Sequence, residues 1–286
     1  MKPLVIYHAN CTDGWTAAWV AAQAFAYQVE LYAAQYGQEP PDVWGREVHI
    51  LDFSYKRPVM QAIADSAHCL IVLDHHKTAE ADLASFAEGN AAADCIFDMN
   101  RSGATLAWDW FHPGEPRPWL VEYVEDRDLW RWALPNSRLV NAGIELYERD
   151  NLEVWDQLAR TSLAEVAEQG ITAEIYKQQC VKTVLNLAHA VKLGGYDVLV
   201  ANCSEPRFAS DSAQALATGK PFGAVWWLRQ DGMVQFSLRS TEEGIDVAEF
   251  AAQFGGGGHK HAAGFQLSFA AFVAMKLRGH DVAGES

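Results

Sequence analysis

The run Ile71-Val72-Leu73-Asp74-His75-His76 sets the frame for this chain: an apolar, partly β-branched strand that ends in one carboxylate and two imidazoles. Taken alone, the tripeptide suits a turn as well as a site. Two further apolar runs end the same way. Leu4 to Tyr7 is followed by His8-Ala9-Asn10-Cys11-Thr12-Asp13-Gly14, which gathers a histidine, a thiol and a carboxylate on one turn before a helix. Val48 to Leu51 is followed by Asp52. Viewed singly, Asp13 reads as a helix N-cap and Asp52 as a turn residue. A fourth polar group, Glu125-Asp126-Arg127-Asp128, lies on or just after a helix, where an ion-paired surface face is the ordinary reading.

Outward from these groups, short strand-like runs alternate with helical stretches. Cys95 to Phe97 is a further strand; Asp13 to Phe25, Arg57 to Ala67 and a stretch opening at Gly103 have apolar residues at helical spacing. This pattern predicts an α/β fold with a mainly parallel sheet covered by helices, and reactive residues at carboxyl ends of strands suit its active site. Residues 1–150 are expected to form this first domain, and 151–192 a helical connector with Gly170 as a break between two helices. Residues 193–286 are expected to form a smaller α/β domain, with strands at Tyr196 to Ala201, Gly223 to Leu228 and Met233 to Arg239, the last two flanking a Gln-Asp-Gly hairpin turn.

The chain has 286 residues, half of them hydrophobic, which is enough for two modest cores. Its formal charge of -15 opposes broad attraction to long duplex nucleic acid, so a nucleic-acid partner is expected to be short and single-stranded. Five cysteines without CxxC spacing suggest a reducing cytoplasm rather than a disulfide framework. No signal-peptide core or membrane-spanning run is read, and no membrane partner is expected.

Together, the strand-end groups suit divalent cations such as Mn²⁺, because mixed carboxylates and imidazoles match a borderline-hard ion. Two such ions about 3.5–4 Å apart activate a bridging water and stabilise the oxygens around phosphorus. His8, Asp13, Asp52, Asp74, His75 and Asp126 can supply the ligands. Near the other end, Phe254-Gly255-Gly256-Gly257-Gly258-His259-Lys260-His261-Ala262-Ala263-Gly264-Phe265 sets four glycines before a histidine, between a helix and a strand. Glycines allow backbone N–H groups to approach an anion closely, and His259 adds a polar contact. Upstream, Arg239 in Ser237-Leu238-Arg239-Ser240 suits bidentate phosphate recognition. The tryptophans, among them Trp15, Trp19, Trp108, Trp110, Trp130 and Trp132, fall largely at helical spacing and read as core, with one or two available to stack on a base. His112, His189 and His280 receive no role.

In these motifs and their order the chain resembles the DHH phosphoesterase family, with the glycine-rich segment similar to a DHHA1 substrate-binding motif. The resemblance implies metal ligation by His8, Asp13, Asp52, His75 and Asp126, with Asp74, His75 and His76 as the catalytic tripeptide and Asp74 a further candidate ligand. It implies substrate contacts from Arg239, Gly256, Gly257, Gly258 and His259. The expected cofactor is a pair of Mn²⁺ ions, with Mg²⁺, Zn²⁺ or Co²⁺ as alternatives. One departure is Cys11, which stands where many members have an aspartate: either its thiolate ligates a metal and biases the site toward Zn²⁺, or it is a small buried residue. The implied activity is hydrolysis of a phosphoester in a short oligonucleotide, a dinucleotide or pAp. Rival readings are a nucleotide sensor without catalysis and an unrelated zinc hydrolase using Cys11 with His8, His75 and His76. Oligomeric state stays open, a homodimer among the options.

Overall fold

The computed structural model describes residues 2–279, so His280 and the end of the expected C-terminal domain lie outside the described residues. The chain divides into two compact units, one running through Glu174 and the other beginning at Ile175.

The first unit is built on five strands: β1 (Leu4–His8), β2 (Glu30–Ala34), β3 (Glu47–Leu51), β4 (Cys69–Asp74) and β5 (Ala93–Phe97). All neighbouring pairs are parallel, in the order β2-β1-β3-β4-β5. Between and after them come α1 (Thr12–Ala24), α2 (Arg57–Ser66), α3 (Lys77–Asp82), α4 (Gly103–Phe111), α5 (Trp119–Asp128), α6 (Ser137–Ile144), α7 (Leu152–Arg160) and the first half of α8 (Leu163–Leu185), within which the chain passes from one unit to the other. Strand alternation explains the layers. Val5, Tyr7, Leu51 and Leu73 join Trp15, Trp19, Ala104, Trp108 and Trp155 on one face of the sheet. Leu4, Ile6, Ile50 and Val72 join Met60 and Ile63 of α2 on the other. Helix α1 is buried on all sides, as its run of Trp and Ala demands. In this strand order the direction of winding reverses between β1 and β3, where ligands of open α/β sheets bind.

The expected α/β class and parallel sheet are thus borne out, with two differences. Strand β2 was not expected: its Glu-Leu-Tyr-Ala-Ala lies at the sheet edge, half-exposed, so it has neither the apolar run of a central strand nor clean alternation. Gly170 does not break a helix. It sits inside α8, and the break falls at Thr161 and Ser162. A Cβ built at Gly170 would lie 1.8 Å from the Leu139 carbonyl oxygen, so this glycine lets α8 pack backbone-to-backbone on α6. Helical propensity is overridden here by close packing.

The second unit holds β6 (His189–Leu193), β7 (Tyr196–Asn202), α9 (Ala209–Leu216), β8 (Gly223–Leu228), β9 (Met233–Arg239), α10 (Val247–Ala252), β10 (Gly257–His259), β11 (Ala262–Ser268) and α11 (Phe269–Gly279). Its sheet has the order β10-β11-β9-β8-β7-β6, antiparallel except for the β7–β8 pair. One face buries Ala224, Phe236, Leu238, Ala263 and Phe265 with Val247 and Phe250 of α10 and Phe272 of α11. On the opposite face α9 covers Ala201 and Val225.

Candidate metal centre and substrate-binding strand

Three strand ends of the first unit converge. Asp52 follows β3 in a left-handed turn (φ 55°), a conformation that aspartate tolerates and that aims its carboxylate across the strand ends. Its Oδ1 lies 3.0 Å from His75 Nε2, and its Oδ2 lies 3.5 Å from His8 Nδ1. His75 Nε2 is also 3.6 Å from Asp13 Oδ2 and 3.5 Å from Asp128 Oδ2. Asp13, Asp52 and His75 are each at most 1% exposed.

Within this unit two donor sets have all their ligand atoms within 4.8 Å of one another: Asp13, Asp52 and His75, and His8, Asp52 and His76. Asp52 belongs to both. Asp52 Oδ2 and His8 Nδ1 are buried and have no hydrogen-bond partner among the described residues. Orphaned acceptor atoms amid carboxylates and imidazoles fit a divalent cation.

Hydrogen bonds fix the donors. Asp13 accepts from the backbone N–H groups of Gly103 (2.6 Å) and Ala104 (3.0 Å), so the first turn of α4 holds that carboxylate. The α4 N-terminus is therefore occupied by Asp13. Gly103 is required, because a Cβ there would lie 2.4 Å from Asp52 Cβ and 2.9 Å from Asp13 Oδ2. Asp74 stands behind the cluster. Its Oδ1 takes the backbone N–H groups of His75 (2.7 Å) and His76 (3.2 Å) and lies 2.6 Å from His76 Nδ1, while its Oδ2 accepts from Ser54 Oγ at 2.6 Å. Asp74 thus joins neither donor set of this unit; it orients His76 through Nδ1, as a carboxylate behind a ligating histidine does.

The electrostatics follow from burying so much like charge. Desolvation, with the Asp52 and Asp128 charges, pushes Asp13 well above the usual carboxylate range. Burial works against ionised Asp52 too, but the His75 and His8 rings outweigh it and hold Asp52 well below that range. Burial disfavours a charged His75; its hydrogen bond to Asp52 and the charges of Asp128, Asp52 and Asp13 prevail and push it up to about 10.

Asp126 is not brought to the cluster, which corrects the expectation for that residue. Its carboxylate accepts from Ala133 N (2.9 Å), Leu134 N (3.4 Å) and Ser137 Oγ, and so ties the loop after α5 to the start of α6. Asp128, two residues on, faces His75 instead, since positions i and i+2 on a helix point in different directions. The helix end sets this geometry: Trp130 is left-handed (φ 56°), and the N–H groups of Trp130 and Arg131 bond the carbonyls of Arg127 and Asp126. This is a Schellman end with tryptophan where glycine is usual.

Cys11 is the N-cap of α1 and belongs to neither donor set of this unit. Desolvation and the Asp52, Asp128 and Asp13 charges hold its thiol well above its ordinary range, so without a cation it is neutral at pH 7. Of the tryptophans, Trp15, Trp19 and Trp108 are core, Trp110 is 36% exposed, and Trp130 and Trp132 are half-buried, their rings 5.2 Å apart.

In the second unit the glycine-rich segment is a strand, not an open loop. Gly257, Gly258 and His259 pair with Gly264, Ala263 and Ala262 of β11. Gly256 and Gly258 allow close approach, since a Cβ at either would overlap a β11 carbonyl oxygen, that of Gly264 or Ala262. Ala262 in turn pairs with Arg239. Residues opposite one another share a face, so His259 and Arg239 lie on one side of the sheet with Ala262 between them. The Arg239 guanidinium donates to Leu238 O (2.8 Å) and to Ser210 Oγ at the start of α9 (2.6 Å). Gln235, Ser237, Gly264 and Gln266 continue this half-buried polar face.

Residues 211–275 match the family model of the DHHA1 domain. An uncharacterized protein of Acanthamoeba polyphaga mimivirus, R106, is 28% identical over 290 residues, covering 93% of this chain and 67% of the viral protein. Among solved structures, the pGpG-specific phosphodiesterase PggH of Vibrio cholerae has 15% identity and a TM-score of 0.50, with 97% of each chain covered. RecJ from Thermus thermophilus, solved in complex with Mn²⁺, has 17% identity and a TM-score of 0.55, covering 97% of this chain and 51% of RecJ. At these identities the two structures are likenesses of fold. The second unit thus carries a DHHA1 domain, and the chain as a whole is similar in fold to RecJ and PggH.

Proposed function

We propose that this protein is a metal-dependent phosphoesterase that hydrolyses a phosphoester bond in a small nucleotide or short single-stranded oligonucleotide. The observation that supports this most is the meeting of Asp13, Asp52 and His75 with His8 and His76 at the carboxyl ends of adjacent parallel strands. His8, Asp13, Asp52, His75 and Asp128 would hold two divalent cations, Mn²⁺ by preference, with His76 presented by Asp74 beside them. Such a pair supplies an activated water and charge stabilisation at phosphorus. Without cations the carboxylates of this net-negative chain repel a phosphate, so substrate binding would itself depend on metal.

The DHHA1 unit would offer substrate contacts of its own. Arg239 is suited to a phosphate oxygen, and the glycine strand with His259 to the same face. PggH acts on pGpG, which supports a dinucleotide as the substrate to try first. All five cysteines are free. No helix among the described residues is long and apolar enough to cross a membrane.

The test is release of mononucleotide from a 5′-labelled diribonucleotide with Mn²⁺, beside His75→Ala and Asp52→Asn. Cleavage by the wild type that both variants lose would support hydrolysis at this centre. Equal cleavage by wild type and variants would assign it to a contaminant. Nucleotide binding without turnover by a metal-loaded protein would favour a sensor.

A further inference from the structure

One aromatic ring on the rim of the metal centre is left half-open. Gln35 to Gln38 form a turn directly after β2, closed by a bond from Gln38 N to Gln35 O (3.2 Å) and with Gly37 left-handed (φ 88°). Tyr36 therefore sits at the corner of a type II-like turn, where a side chain projects outward. Its position follows from register: Ala34 pairs with His8, so the turn emerges beside the His8 donor.

The Tyr36 ring lies 4.7 Å from Phe53 at an interplanar angle of 34°, and Phe53 is itself fully buried against Tyr55. On another side the ring meets His8 edge-on at 5.5 Å, and His8 lies 5.8 Å from His76. Phe53 thus backs one side of Tyr36, His8 fixes its orientation, and 44% of the residue stays accessible. A rigid, backed aromatic face next to phosphate-binding cations suits a planar, uncharged group attached to that phosphate.

We propose that Tyr36 is the platform on which the nucleobase adjoining the scissile phosphate stacks, which makes it a specificity-determining residue of the hydrolysis proposed above. Stacking on such a ring tolerates every base, so Tyr36 would select nucleotides over other phosphoesters without choosing a sequence.

The experiment is a cycle of two changes: Tyr36→Ala in the protein, and replacement of one base of the diribonucleotide by hydrogen. Each single change should raise KM roughly ten- to a hundredfold with kcat nearly constant, the range that base–aromatic stacking implies. The two together should do little more than either alone, since both remove one contact. Tyr36→Phe should restore the preference for the full dinucleotide, and Mn²⁺ affinity measured by calorimetry should be the same in Tyr36→Ala as in the wild type. Fully additive effects, or an equal loss on both substrates, would overturn the stacking role while leaving the hydrolysis intact. A wild type that turns over neither substrate would overturn the hydrolysis and this inference with it.

Discussion

His75 Nε2 lies 3.0 Å from Asp52 Oδ1 inside a cluster where both residues are about 1% exposed. Each holds the other charged, and a cation bound there would replace the His75 proton. That exchange has a measurable sign. With His75 pushed up to about 10, metal must displace a proton throughout the neutral range. Mn²⁺ affinity should therefore rise by up to about tenfold per pH unit between pH 6.5 and 8.5. Calorimetry in buffers of different ionisation enthalpy should register proton release, and a pH-independent affinity would contradict the assignment.

The same linkage acts on stability. A histidine whose folded value exceeds its unfolded value of about 6.5 stabilises the fold fully below that pH, and this stabilisation is lost as pH rises toward about 10. The metal-free protein should accordingly melt at lower temperature at pH 9.5 than at pH 7. Loss of that trend in His75→Gln, measured by thermal unfolding without metal, would tie it to this residue.

Asp126 and Asp128 should separate structure from metal binding. Asp126→Ala removes the acceptor for Ala133 N, Leu134 N and Ser137 Oγ and should cost about 1–3 kcal/mol, with Mn²⁺ affinity kept in whatever fraction remains folded. Asp128→Asn should weaken Mn²⁺ binding and activity at least tenfold with little change in melting temperature. The opposite assignment would be seen as the opposite pattern in the same two assays.

These two residues also show where the sequence stopped being legible. The strand-end donors could be read because a strand has one carboxyl end and the sheet gathers several of them. Asp126 and Asp128 differ by a helical rotation that depends on where α5 stops, and the glycine that would mark that stop is replaced by left-handed Trp130. Strand β2 and the glycine strand β10 were obscure for a different reason: both sit at sheet edges, where pairing is one-sided and no apolar pattern is required. The hairpin of β8 and β9 was plain from its Gln-Asp-Gly turn. Ser54 gave no signal, because only the turn after Asp52 brings its hydroxyl to Asp74.

Gly170 offers a test of packing remote from the chemistry. Gly170→Ala would drive a methyl into the Leu139 carbonyl and force α8 away from α6, costing about 1–3 kcal/mol. Denaturant unfolding should show the loss, and Mn²⁺ affinity of the folded protein should not change. A neutral effect would mean that α8 does not pack this closely on α6.

Arg239 tests the second unit. Its guanidinium reaches both Leu238 O and Ser210 Oγ, a geometry that lysine cannot reproduce because it lacks the planar fork. Arg239→Lys should therefore behave nearly as badly as Arg239→Gln, each raising KM for a dinucleotide about tenfold or more with Mn²⁺ affinity unchanged. Ser210→Ala keeps the cation but removes one of its anchors, so it should raise KM by a smaller factor. If lysine instead restores wild-type KM, positive charge alone suffices at this position, and the aimed guanidinium is not what recognises substrate.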